Sequence, residues 1–180
     1  FLRHLAAEAS DLNVVVFADE VNIHLNPKIG PDWMLPGTQR LVRTPGKNEK
    51  RYLAGAYEPL HHRLVYVEGD RKASWIFLNL LWALLETYDE AKTIHVILDN
   101  CIIHKSHVTQ AWLAEFGDRL RFRFLPPHRP NENRIGRIWL DLHANVTRNH
   151  RQRTIGALLD RVHGYLAHRF DTRRRILLVA

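Results

Sequence analysis

The sequence predicts an α/β domain built on a mixed β-sheet with helices on its faces. Three observations carry this expectation. Strand-like runs follow one another as far as Gly69, helical and strand-like patterns alternate from Ser74 onward, and two of the strand runs are apolar along their length. Successive strands favour antiparallel pairing, alternating units favour parallel pairing, and continuous apolar runs favour strands covered on both faces.

The elements follow in order. "NVVVFADEVNIHL" (13–25) begins as an unbroken apolar run and then alternates at Val21, Ile23 and Leu25, which predicts a buried strand continuing into an extended segment. "NPKIGPDWMLPG" (26–37) is rich in turn residues and is expected to be a loop. "QRLVRT" (39–44), "RYLAGAYE" (51–58) and "HRLVYVEG" (62–69) read as short antiparallel strands, with Pro45-Gly46 and Pro59 in the turns.

A helix over 74–88 is apolar nearly all round, so the sheet and a second element should cover it; a second copy of the chain or another helix would serve. "TIHVILDN" (93–100) is a buried strand. Ser106 is placed to cap a helix carrying Val108, Ala111, Trp112 and Phe116, stopped by Gly117. "LRFRFLPP" (120–127) alternates and ends on two prolines. Ile135, Ile138, Trp139, Leu142 and Val146 then recur at helical spacing. Thr154 caps a last helix to about Phe170, with Leu158, Val162, Tyr165 and Leu166 inward. The tail 171–180 is basic, then apolar, and has no clear structural pattern. A ribonuclease-H-like domain has this order of elements.

With 180 residues the chain is long enough for one sizeable core, and one domain over 1–180 is expected. The net charge of +7 suits a polyanionic partner, chiefly nucleic acid. Cys101 is the only cysteine, which excludes an intrachain disulfide and fits a reducing, cytoplasmic setting. No signal peptide is visible, and the longest apolar run, 75–85, is broken by Asn79 and too short to cross a bilayer. Neither a Walker loop, nor a Gly-x-Gly-x-x-Gly fingerprint, nor a serine or cysteine nucleophile motif is present, and the twelve histidines lack a zinc framework.

Asp19 follows "VVVFA" and Asp99 follows "HVIL", each at the end of a buried apolar run. Either alone is compatible with a turn cap. Together in a basic chain they suggest a pair of carboxylates able to share Mg²⁺ or Mn²⁺. Candidate phosphate contacts are Lys47, Lys50 and Arg51 in one turn, and His104 and Lys105 at a helix start. Arg134 and Arg137 flank the next helix start, and Arg148 and Arg151 lie further on, in a C-terminal third also rich in arginine at 153 and 173–175. Gly136 sits in the first turn of its helix, where glycine costs roughly 1 kcal/mol relative to alanine.

"FADEVNIHLNPKIGPDWMLPG", "TPGKNEKRYLAGA", "HVILDNCIIHKS" and "FLPPHRPNENRIGRIWLDLHANVTRNH" together resemble the catalytic domain of bacterial insertion-sequence transposases of the mariner-like superfamily, from about 15 to 154. The resemblance implies a ribonuclease-H-like fold and two-metal cleavage and strand transfer of double-stranded DNA at transposon ends, with TA targets, in the nucleoid of a bacterium. Helix-turn-helix modules usually precede this domain in the family, and none is legible in this sequence. Of the family's Asp-Asp-Glu triad, the first aspartate matches Asp19 and the second Asp99. The glutamate position falls on Gly136, so the resemblance implies an incomplete metal site and impaired cleavage. Glu132, four residues earlier, is the nearest possible substitute. Asp141 and Glu20 are expected to point elsewhere. The alternative is a DNA-binding or assembly module that keeps the fold without the catalysis.

Overall fold

The computed structural model describes residues 5, 7–39, 41–126 and 132–176, the last two as backbone only. Six strands form one mixed sheet: β1 (Asn13–His24), β2 (Lys50–Glu58), β3 (Arg63–Gly69), β4 (Thr93–Leu98), β5 (Leu120–Phe124) and β6 (Asp171–Ile176). Their order is β5-β4-β1-β2-β3-β6. β1, β2 and β3 form an antiparallel meander; β4 and β5 add in parallel beside β1, and β6 runs parallel to β3. The helices are α1 (Ser74–Thr87), α2 (His107–Phe116), α3 (Arg134–Leu142) and α4 (Ile155–Arg169).

Side-chain alternation divides the core in two. Val14, Val16 and Ala18 of β1 join Ala54, Ala56, Val65, Val67 and Val96 under α1. Val15, Phe17, Val21 and Ile23 join Leu53, Leu64, Tyr66 and Ile97 under α3 and α4. Period-two alternation thus sends odd-numbered β1 residues toward α3 and even-numbered ones toward α1.

Two expectations need correction. Among the described residues of 39–44 there is no strand, and Leu41 is exposed. The sheet has no slot beside the hairpin, because β1 already pairs with β2 and β4, and β2 with β1 and β3. Conversely, the basic part of the tail is β6. It lies against β3 in the register Leu64↔Thr172, and Arg63 donates to Asp171 at 2.8 Å. A charged edge strand is a usual way to end a sheet.

The helical starts and stops follow their local chemistry. Ser106 accepts from the Thr109 N–H at 3.2 Å and Thr154 from the Ala157 N–H at 3.2 Å, satisfying free amides of α2 and α4. Ile76, Leu80, Leu81 and Leu84 bury α1 against the sheet. Trp82, on its outer side, meets Trp112 and Phe116 of α2, with ring centroids 5.6 and 5.2 Å away. So α2 supplies part of the second cover expected for α1. The inward face expected for α2 is only partly realised, since Val108 and Ala111 are exposed. Among the described residues, no helix is long and apolar enough to cross a membrane.

Candidate active site

Asp19 lies within β1 rather than at its end. β1 pairs with β4 only as far as Phe17↔Ile97, then continues as a hairpin with β2, in which Asp19 faces Gly55. Two residues beyond that last parallel pair stand Asp19 on one strand and Asp99 just past the end of the other. Extension of the register brings the two carboxylate-bearing residues side by side, at the point where β4 leaves the sheet.

The odd parity of Asp19 directs its side chain to the α3 side. Gly55 confirms the direction, since directly opposed residues of an antiparallel pair share a face. A Cβ on Gly55 would lie 2.7 Å from Trp139 Cζ2 and 3.2 Å from Ile135 Cδ1, both on α3. Glycine therefore lets α3 rest on the sheet beside Asp19. The start of α3 is anchored at the same place. Asn133, its N-cap residue, uses its amide to donate to the Ala18 carbonyl at 3.0 Å instead of capping the helix.

The Asp19 carboxylate accepts the Glu20 N–H at 2.8 Å. Burial pushes its pKa up to about 6, with further upward pressure from the Glu20 and Asp99 charges; the Glu20 N–H and Lys72 work in the opposite direction. Among the described residues no cation lies within ion-pair distance of it. A partly buried carboxylate next to a second one is a donor set that suits a hard divalent cation. Among the described residues no three His, Cys, Asp or Glu side chains come together as a metal cage.

Position 136 falls in the first turn of α3, where its N–H donates to the Asn133 carbonyl at 3.1 Å. A Cβ there would meet nothing within 4 Å. The backbone is ordinary and the space is open, so nothing in the packing requires glycine.

Glu132 lies two residues ahead of α3. With Arg123, Arg134, Arg137, Asp141 and Arg169 it lines a cleft of about 1100 Å³ whose walls also include Phe17 and Phe124; neither Asp19 nor Asp99 borders it. Asp141 accepts from the Tyr165 hydroxyl at 2.6 Å and pairs with Arg169 at 3.3 Å. Arg134 places its guanidinium 5.3 Å from the Phe17 ring centre.

The other basic candidates are scattered. Lys50 and Arg51 pair with His24 and Ile23 at the far end of the β1–β2 hairpin, with Lys47 in the loop before them. Lys105 is exposed and donates to Asn100 at 2.8 Å. Arg148 bridges to Lys28, and Arg151 is exposed in the connection before α4. Arg173 and Arg174 do not extend this surface: they lie on the β6 edge, paired with Asp171 and Glu68.

His104 is a correction. It is 1% exposed and faces inward, so it is not a surface contact for DNA. Its Nε2 lies 3.1 Å from Glu20 Oε1, its Nδ1 lies 3.3 Å from Asp99 Oδ1, and its ring packs on Phe77 with centroids 4.4 Å apart. Burial alone would lower the His104 pKa, but the bond to Glu20 and the nearby Asp99 hold it above the ordinary value. Burial would raise Glu20, but His104 and Lys72 more than offset that and hold it low. Sequence reading missed the roles of Glu20 and Lys72. One signal was available: Glu20 has even parity on a strand whose preceding even-numbered residues, Val14, Val16 and Ala18, are core residues.

A family model described as DDE superfamily endonuclease matches residues 14–159. The insertion element IS630 uncharacterized 39 kDa protein of Shigella sonnei is 46% identical over 159 residues, covering 88% of this chain and 46% of that protein. The chain thus spans about half the length of that curated relative. The crystal structure of the mariner Mos1 paired end complex with Mg matches with a TM-score of 0.66 at 17% identity, over 94% of this chain and 52% of that one. The catalytic domain of Mos1 mariner transposase matches with a TM-score of 0.57 at 15% identity, over 94% of this chain and 78% of that one. These structures share the fold, which is ribonuclease-H-like. The sequence match adds the family: the chain belongs to the DDE superfamily endonucleases.

Proposed function

We propose that this chain is the catalytic domain of an insertion-sequence DNA transposase whose metal site lacks its third carboxylate. The observation that carries the reading is the placement of Asp19 and Asp99, each two residues past the last β1–β4 pair and near enough for their charges to interact, together with an α3 first turn that holds Gly136 in open space. Mg²⁺ or Mn²⁺, held by Asp19 and Asp99, would supply Lewis acidity and an activated water at a DNA phosphodiester. The chain's own contributions are positional. The β1–β4 register sets the two aspartates side by side, Gly55 and Trp139 bring α3 down next to them, and Asn133 fixes where that helix begins. A carboxylate at 136 would approach from the helix. Without it, one ligand direction is missing, metal binding is weak and strand cleavage is impaired.

Mn²⁺ titration followed by electron paramagnetic resonance tests this reading. The expected result is weak binding that disappears in Asp19→Ala and tightens in Gly136→Glu. Binding that is indifferent to both substitutions would overturn it.

Duplex DNA is the proposed partner. The +7 charge and the cleft carrying Arg123, Arg134, Arg137 and Arg169 support phosphate contact. Salt-sensitive DNA binding without strand cutting would favour the second reading, a binding or assembly module. The open glycine at 136 is the observation that favours it.

A further inference from the structure

Asp99 follows the last residue of β4 and its side chain is 58% exposed. An aspartate in that position has several staggered rotamers within reach. One of its oxygens is nevertheless held. Oδ1 accepts the Cys101 N–H at 3.0 Å, while His104 Nδ1 is hydrogen-bonded to the Asp99 backbone carbonyl at 3.3 Å and lies 3.3 Å from Oδ1. The imidazole is held in turn from its other edge, where Nε2 meets Glu20 Oε1 at 3.1 Å, and Glu20 Oε2 meets Lys72 Nζ at 3.2 Å.

The side chains of Glu20 and His104 are 3% and 2% exposed. Burying such groups is costly unless each is paired. A chain of polar contacts therefore runs from Lys72, ahead of α1, through Glu20 of β1 and His104 to Asp99 at the end of β4.

We propose that His104 and Glu20, backed by Lys72, are positioning residues that fix Asp99, through its backbone carbonyl and beside its Oδ1, and so determine which carboxylate oxygen it offers to a divalent cation. This rests on the reading of Asp99 as a metal ligand. Groups that orient metal ligands from behind commonly contribute 10- to 100-fold in affinity. A purely structural role, tying the turn after β4 to β1, would also explain burial, and it predicts a different response to substitution.

Asparagine at 104 places its amide nitrogen near the site of Nδ1 and keeps the donor to Asp99. Glutamine places its amide nitrogen near the site of Nε2 and keeps only the link to Glu20. Mn²⁺ affinity is expected to fall about tenfold or more in His104→Gln and to stay within about threefold of the parent in His104→Asn. The proposal is overturned if the two lose affinity equally, or if His104→Gln binds as the parent does. Should His104→Gln fail to fold, Glu20→Gln takes its place, with a severalfold loss expected and unchanged affinity contradicting the proposal.

Crystal structures of the two His104 variants separate this inference from the metal reading. If the parent and its Gly136→Glu form bind no Mn²⁺, the metal reading fails. The structures still decide the positioning role: the Asp99 carboxylate should keep its place in His104→Asn and leave it in His104→Gln. The same placement in both overturns the inference.

Discussion

Asp19 and Gly55 lie directly opposite each other on β1 and β2, and the space above Gly55 is filled by Trp139 of α3. A cross-strand partner with no side chain is what allows a helix to sit next to a carboxylate on the sheet. Gly55→Ala is therefore expected to push Trp139 outward and destabilise the protein by about 1–3 kcal/mol, as overpacked cores generally do. In urea the midpoint should fall with the slope unchanged. In a Gly136→Glu background it should also weaken Mn²⁺ binding.

Asp19 is expected to cost stability in the absence of metal. Burial raises its pKa from 3.8 to about 6. A carboxyl group raised in the folded state adds no penalty while protonated below 3.8, a growing one between 3.8 and about 6, and the full one above. Asp19→Asn should therefore melt higher than the parent at pH 8 in chelator, by on the order of 2 kcal/mol, and show little difference near pH 3.5. Added Mn²⁺ should stabilise the parent and not the variant. Equal melting of the two proteins at pH 8 would contradict this.

Glu68 links three elements: His163 of α4 at 3.0 Å, Arg174 of β6 at 3.1 Å and its own strand β3. The bond from His163, foremost, and the charges of His163, Arg174 and Arg51 hold its pKa below the ordinary 4.5 against the opposing effect of burial. For a carboxylate lowered in this way the stabilisation is complete above pH 4.5 and is lost as pH falls through the lower folded value. Glu68→Gln should cost about 1 kcal/mol at pH 7, and thermal melts of variant and parent should converge in stronger acid.

Arg134 and Arg137 face the cleft from one flank of α3. Replacing either with alanine should weaken duplex binding for all sequences alike and reduce the salt slope by about 1, as measured by fluorescence anisotropy between low and moderate salt. An unchanged slope would remove that arginine from the interface.

The sequence made the frame of the site legible. Apolar runs ending on Asp19 and Asp99 marked two strands, and Ile135, Ile138, Trp139 and Leu142 marked the helix that packs beside them. What it concealed depends on long-range pairing. Glu20 and His104 are 84 residues apart, and the chain between them gives no local sign of their contact. His104 resembled a surface base because its neighbours Lys105 and Ser106 suit a phosphate, whereas the fold turns it onto Phe77. β6 was hidden by its charges, which an edge strand tolerates and a central strand would not. The alternation at 39–44 looked like a strand, but the sheet edge it needed was already occupied.

The central claim is that a single absent carboxylate at 136 limits an otherwise assembled site. Nicking of a supercoiled plasmid in Mn²⁺, compared between the chain and its Gly136→Glu variant, tests it most directly. The account predicts little or no nicking by the chain, and metal-dependent nicking by the variant that is lost again when Asp19 or Asp99 is changed to alanine. Steady metal-dependent nicking by the chain itself, abolished by Asp19→Ala, would contradict it.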